Sequence, residues 1–198
     1  KIRQSIDDPK TTTRKLGLLL QSEPVLAARL LQIANGAIFS GLAPVNTMEM
    51  VIQRLGMTCV RNIVISVLMR QAFNLGNNSQ LHRKMQEIWQ YSTQIAATTQ
   101  ILARQQNSLE LSSNVALLCG LLHNIGALPV LARCADKPHL LKIPGLVDDI
   151  INSMQAELGG WLLETWELES DLVIVAREHN NLYRLPTKAD QPDYADLV

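Results

Sequence analysis

The chain has 198 residues, 47% of them hydrophobic and 18% charged, enough apolar material for one sizeable core or two small ones sharing a seam. Its 18 basic side chains balance its 18 acidic ones, which removes the bulk basic excess expected of a nucleic-acid binder. Three cysteines, Cys59, Cys119 and Cys134, stand in no metal-binding spacing, so neither a disulfide framework nor a structural zinc site is indicated and a reducing cytoplasm fits best.

Aromatic residues make up only 4% of the chain, and a core of Leu, Ile, Val, Ala and Met favours helices. Residues 12 to 21 and 24 to 35 read as two helices, separated by Ser22-Glu23-Pro24, where Ser22 can cap and Pro24 fits the first turn because its missing N–H has no partner there anyway. In the second helix Leu26, Leu30 and Ile33 fall at helical spacing, and Asn35-Gly36 ends it. Asn46-Thr47 can cap a short helix whose Met48, Val51, Ile52 and Leu55 share a face before Gly56. Thr58 starts the next, with Val60, Ile63, Val64, Val67 and Leu68 apolar on one side.

Four turn-prone residues, Gly76-Asn77-Asn78-Ser79, mark the boundary between an N-terminal helical subdomain, 1–76, and a second one, 77–198. Leu81, Met85, Ile88, Trp89, Ile95, Thr99 and Leu102 then trace a long helix ending near Gln106-Asn107. Ser112 or Ser113 caps a nearly all-apolar helix through Leu122, after which Gly126 and Pro129 bend or break the chain. One amphipathic pattern runs through Val147, Ile150 and Ile151, another through Met154, Leu158, Trp161, Leu162 and Trp166, and a last helix spans roughly 171 to 179. Trp89, Trp161 and Trp166 each fall on the apolar side of a helix and read as core or seam residues. No segment sustains a two-residue alternation, so the expected class is all-α.

Arg, Gln or Asn interrupts each candidate membrane span, and no signal peptide opens the chain, so a soluble cytoplasmic protein is expected. The start at Lys1 and the stop at Val198 suggest a fragment of a longer protein. Charge is segregated: residues 1–143 carry 15 basic and 7 acidic side chains, and residues 144–198 carry 3 basic and 11 acidic. Solvated faces, mutual docking of the two parts, or steering of separate protein partners all accommodate this pattern.

Chemistry concentrates at Leu121-Leu122-His123-Asn124-Ile125-Gly126, where a His stands at the polar end of a buried helix. His82 and His139 lie in polar surroundings and read as surface residues, which leaves His179 to converge with His123. Ser66, Ser92 and Ser153 have no nucleophile-elbow context, and no phosphate-binding glycine loop is present. Arg54, Arg61 and Arg70 form a candidate basic strip over the N-terminal subdomain.

SEPVLAARLLQIANGAIFSG from Ser22, VIQRLGMTCVRNIVISV from Val51, LLHNIG from Leu121 and ELGGWLLETW from Glu157 occur in this order along nearly the whole chain. Together they resemble the HDOD, or HD-related output domain, family of bacterial signalling proteins. The resemblance implies an N-terminal helical subdomain packed on a bundle related to the HD phosphohydrolases. In those enzymes histidines and a His-Asp pair hold metals that activate water against a phosphate ester. Against that pattern Tyr91 takes the place of the first His, Asn124 replaces the Asp beside His123, Gln155 stands where the superfamily often has His, and His179 remains.

A neutral amide cannot supply the anionic oxygen that holds a divalent ion, and two imidazoles fall short of the three protein ligands of a catalytic zinc. Asp148, Asp149, Glu157 and Glu178 read as solvating helix faces, and Tyr91, His123 and the amides as a buried hydrogen-bond network. The expected function is therefore a non-catalytic regulatory or output module acting through protein contacts, with no cofactor and no catalytic or metal-binding residue. The alternatives are a divergent metal-dependent phosphohydrolase or phosphodiesterase, and a small-ligand sensor built on the altered pocket. Expected partners are other signalling proteins or domains, with a homo-oligomer and a small-molecule ligand left open, and with membrane and nucleic acid disfavoured.

Overall fold

The apolar spacings build helices throughout: in this computed structural model no strand occurs among the described residues, which are 12–21, 24–36, 39, 41–72, 75–105, 111–184 and 192–198. The chain divides into two compact units, Lys1–Met69 and Arg70–Val198.

In the first unit, α1 (Thr13–Gln21) and α2 (Pro24–Ala34) bury Leu16, Leu20, Leu26 and Leu30 almost completely. Each such leucine contributes about 1.5–3 kcal/mol on leaving water. The Thr47 hydroxyl accepts the Met50 N–H and starts α3 (Met48–Leu55), which buries Met48, Val51, Ile52 and Leu55. Gly56, at φ +83°, ends it in a conformation that a side chain would strain. The loop between α2 and α3 is closed by Asn35, whose side chain accepts the Val45 N–H at 2.9 Å and donates to the Val45 carbonyl at 2.7 Å. From α4 (Met57–Ala72), Cys59, Val60, Ile63 and Val64 are buried.

The unit division falls inside α4, ahead of the Gly76–Ser79 turn, because Leu75 already belongs to the second unit's core with Leu81, Ala127, Val130, Leu131, Cys134 and Ile151. The turn residues cap the following helix: Asn78 Oδ1 accepts the N–H groups of Gln80 and Leu81 at the start of α5 (Ser79–Gln105).

Helix α6 (Ser113–Leu122) lies so close to α5 that a Cβ on Gly120 would collide with the backbone of Ala96. A tight turn over residues 123–126 leads into α7 (Ala127–Ala135), and a 3₁₀ turn (Pro138–Lys142) into α8 (Leu146–Thr165). The two amphipathic patterns read in the sequence after residue 146 are thus one continuous helix of 20 residues. Helix α9 (Ser170–Glu178) packs on α8, and a short α10 (Tyr194–Leu197) closes the described chain.

Contrary to the sequence reading, Ser113–Ala135 is long and apolar enough to cross a membrane by length and composition, although the 123–126 turn splits it into α6 and α7. Seventy-eight per cent of its most apolar window is buried within the fold, as for a core segment.

Candidate functional site

Two histidines sit just past the ends of two helices of the second unit, and each is oriented by its own backbone. His123 follows α6, and its Nδ1–H donates to the Gly120 carbonyl at 2.8 Å. His179 follows α9, and its Nδ1–H donates to the carbonyls of Val175 at 3.0 Å and Ala176 at 3.2 Å. A carbonyl can only accept, so in both rings Nδ1 carries the proton and Nε2 presents a lone pair. The rings meet edge to face, 4.9 Å between centroids, and the Tyr91 ring from α5 approaches His123 at 5.9 Å.

These side chains line a cavity of about 440 Å³ together with Asn124 from the turn and Gln155 from α8. All five residues singled out in the altered HD pattern, Tyr91, His123, Asn124, Gln155 and His179, therefore share one wall system. They do not form the expected buried hydrogen-bond network: Tyr91 is 53% exposed at the rim, and among the described residues none of the five bonds to another. The backbone carbonyls of Gly120, Val175 and Ala176 take the imidazole protons instead.

The wall also includes Lys84, Asp148, Asn152 and Asn180, which sequence reasoning did not place there. Asp148, expected to solvate a helix face, pairs its carboxylate with Lys84 across α5 and α8. Helix phase was the available signal, since Lys84, Ile88 and Tyr91 follow one another at intervals of four and three residues. A second cavity, of about 370 Å³, shares Lys84 and Asp148 with the first.

Burial keeps the imidazoles neutral. Loss of water pushes the His123 pKa from 6.5 down to about 4, against the opposing Gly120 bond, and the neighbouring His179 lowers it further. His179 is lowered by the same desolvation.

The remaining sequence candidates fall elsewhere. The Arg54 guanidinium donates to the carbonyls of Ala34 and Ala43 and lies 5.6 Å from the centre of the Phe39 ring, so it holds its own loop together. Arg61 is half-buried, and the Arg70 side chain lies outside the described residues. Trp161 is 59% exposed, correcting its assignment to the core, whereas Trp89 and Trp166 are half-buried. The Trp161 position falls one residue after the Gly159-Gly160 face of α8 and turns outward.

A divalent centre of the HD kind requires carboxylates or at least three good ligands. Here the cavity offers two imidazole nitrogens, neutral amides and a phenol, while the Asp148 carboxylate is engaged by Lys84. Among the described residues no group of three or more His, Cys, Asp or Glu side chains comes together. The donor set does not fit such a centre.

The sequence profile of the HDOD domain matches residues 1–182. The chain belongs to the HDOD family. A chain of similar sequence, 24% identical over 196 residues, is an "Uncharacterized protein" of Treponema pallidum (strain Nichols); the match covers 93% of this chain and 37% of that protein. Among solved structures, a "Putative metal-dependent phosphohydrolase" from Shewanella amazonensis SB2B superposes with a TM-score of 0.82 at 25% identity, covering 99% of this chain and 70% of the other. A "Putative signal transduction protein" from Marinobacter aquaeolei VT8 shares the fold, with a TM-score of 0.62 at 20% identity, covering 99% of this chain and 46% of the other. The HDOD chain is thus an all-helical member of the HD-like fold.

Proposed function

We propose that this HDOD domain is a non-catalytic signalling module of the cytoplasm, which regulates other signalling proteins or domains by contact and carries an HD-type pocket converted from an ion cage into a neutral polar cavity. The observation that carries the reading is the donor set around His123 and His179, in which Asn124, Gln155 and Tyr91 supply no anionic oxygen and Lys84 neutralises Asp148. The name of the Marinobacter protein and the three free, buried cysteines are in keeping with it.

The second reading is a divergent metal-dependent phosphohydrolase, favoured by the name and close superposition of the Shewanella protein. A turnover screen with bis(p-nitrophenyl) phosphate and a cyclic dinucleotide in Mn²⁺, Mg²⁺ or Fe²⁺ separates the two. The signalling reading predicts no hydrolysis above the buffer rate. Turnover that disappears in His123→Ala overturns it.

A further inference from the structure

Past the end of α9 two adjacent large apolar side chains stand almost wholly in solvent, Leu182 90% and Tyr183 94% exposed. The turn that carries them is held by its own hydrogen bonds. The Arg184 N–H donates to the Asn181 carbonyl at 3.1 Å, the Tyr183 N–H to the Asn181 side-chain oxygen at 3.3 Å, and the Asn181 amide to the Glu178 carboxylate at 3.1 Å. Behind the turn, the Arg184 guanidinium is forked onto Asp193. A tip fixed in this way has already lost much of the freedom that docking would otherwise cost it.

The same unit carries a hollow of matching character. The cavity of about 370 Å³ is lined by the first turns of α5 and α8 and the segment before α8, with Leu81, Leu141, Ile143, Pro144 and Val147 as its apolar surface. Ile143 is 53% exposed there. An apolar cavity of about 150 Å³ already admits benzene, so this one has room for the Tyr183 ring and the Leu182 side chain together.

Charge favours the match. Among the described residues of 144–198 both basic side chains are spent, Arg177 on Glu164 and Arg184 on Asp193 and Asp196, which leaves Glu178 beside the tip without a cation. On the wall of the hollow, beside Glu87 and the Lys84–Asp148 pair, Arg83 makes no ion pair among the described residues. Two tips and two hollows remove about 1,200 Å² from water, at the lower end for a specific pair.

We propose that the Leu182-Tyr183 tip of one chain seats in the hollow around Ile143 of a second copy, and the second copy's tip in the hollow of the first, so that a closed and weakly associating dimer forms. The pairing goes beyond the signalling reading without depending on it: a monomeric chain leaves that reading standing, and hydrolysis of phosphate esters leaves the pairing standing.

Sedimentation velocity of the full chain at rising concentration tests it. The wild type is expected to shift from monomer toward dimer. Leu182→Ser combined with Tyr183→Ser, and separately Ile143→Arg, are each expected to stay monomeric, with unchanged helical circular dichroism because all three side chains are largely exposed. An equimolar mixture of the two variants restores one intact tip and one intact hollow, and is expected to associate more than either variant alone. A wild-type chain that remains monomeric up to about 1 mM overturns the proposal and leaves the tip to a different protein. Association unaffected by either variant, or a mixture no more associated than its components, overturns it as well.

Discussion

Gly126 and Gly159 bring the 123–126 turn and α8 together backbone against backbone: a Cβ on Gly159 would stand 3.3 Å from the Gly126 nitrogen, and one on Gly126 would collide with the Gln155 carbonyl. The LLHNIG and ELGGW segments are therefore two halves of one contact, and that contact sets His123 and Gln155 on the same cavity. The next glycine, Gly160, lies beneath the Arg177 side chain, which donates two hydrogen bonds to Glu164 at 2.8 and 2.7 Å. Gly126→Ala is expected to destabilise the chain by about 3 kcal/mol, at the upper end of the cost of overpacking, because the obstacle is backbone. Gly145→Ala serves as a contrast, since nothing lies within 4 Å of its Cβ and only its φ of +79° opposes the change. Urea midpoints measure both, and equal losses would contradict the close-contact argument.

The two neutral imidazoles predict an acid limb. With the His123 pKa held near 4 in the fold against 6.5 outside it, the unfolded chain binds the extra proton between those values. Stability is therefore full above about pH 6.5 and falls as pH drops toward 4, by about 3 kcal/mol from His123 at about 1.4 kcal/mol per unit. His179 acts in the same direction. His123→Asn keeps a donor for the Gly120 carbonyl and removes the titration, so urea midpoints followed from neutral to acid pH should decline less steeply than in the wild type. An unchanged slope would show that His123 is charged in the fold.

The last described segment is strapped to the bundle. Arg184, its side chain 10% exposed, donates to both carboxylate oxygens of Asp193 at 2.5 and 2.7 Å and to Asp196 at 3.0 Å. Asp193 caps α10 in a reciprocal box with Asp196, and the Tyr194 hydroxyl accepts the Ser112 N–H at 2.8 Å beside the start of α6. Val198, at the end of this strap, lines the histidine cavity. Arg184→Lys removes the fork and is expected to weaken docking of 192–198 by about 2 kcal/mol. Hydrogen exchange at Ala195 and Asp196 should accelerate while the α6 core keeps its protection; unchanged exchange at those amides would contradict the strap.

Arg54 makes the corresponding test in the first unit. Its two bonds to the Ala34 and Ala43 carbonyls, at 3.1 and 2.5 Å, tie the end of α2 to the loop before α3. Arg54→Lys cannot reach both acceptors with one ammonium, and a loss of about 1–2 kcal/mol in global unfolding is expected. A variant as stable as the wild type would return Arg54 to the role of a surface cation.

Much of this was legible in the sequence, and the reasons for the rest are particular. The helix faces of Leu26-Leu30-Ile33 and Met48-Val51-Ile52-Leu55 are periodic, and the Thr47 cap and Gly56 stop lie where local chemistry demands them. His123 and His179 pair in the sequence by elimination of the two surface histidines and by the family pattern, since 56 positions of sequence separate them and no spacing rule connects two helix ends. Asn152-Ser153 interrupts the apolar pattern of α8 without breaking the helix, because both residues are exposed, Asn152 at the cavity wall and Ser153 with its hydroxyl donating to the Ile150 carbonyl. The 3₁₀ turn at Pro138–Lys142 buries no side chain and left no periodic trace. Gly126 reads locally as a break, and Gly120 and Gly159 give no local signal, whereas all three let another backbone approach, a property of the partner segment. The α10 strap uses an Asp-x-x-Asp box in place of the more recognisable Ser/Thr-x-x-Glu.

The most direct test of the central claim is the metal content of the chain after saturation with Mn²⁺, Fe²⁺ or Zn²⁺ and gel filtration, measured by elemental analysis beside His123→Ala. A cavity walled by two neutral imidazoles and uncharged amides predicts substoichiometric metal that is the same in both proteins. One or two ions per chain, lost on removing His123, would contradict the account.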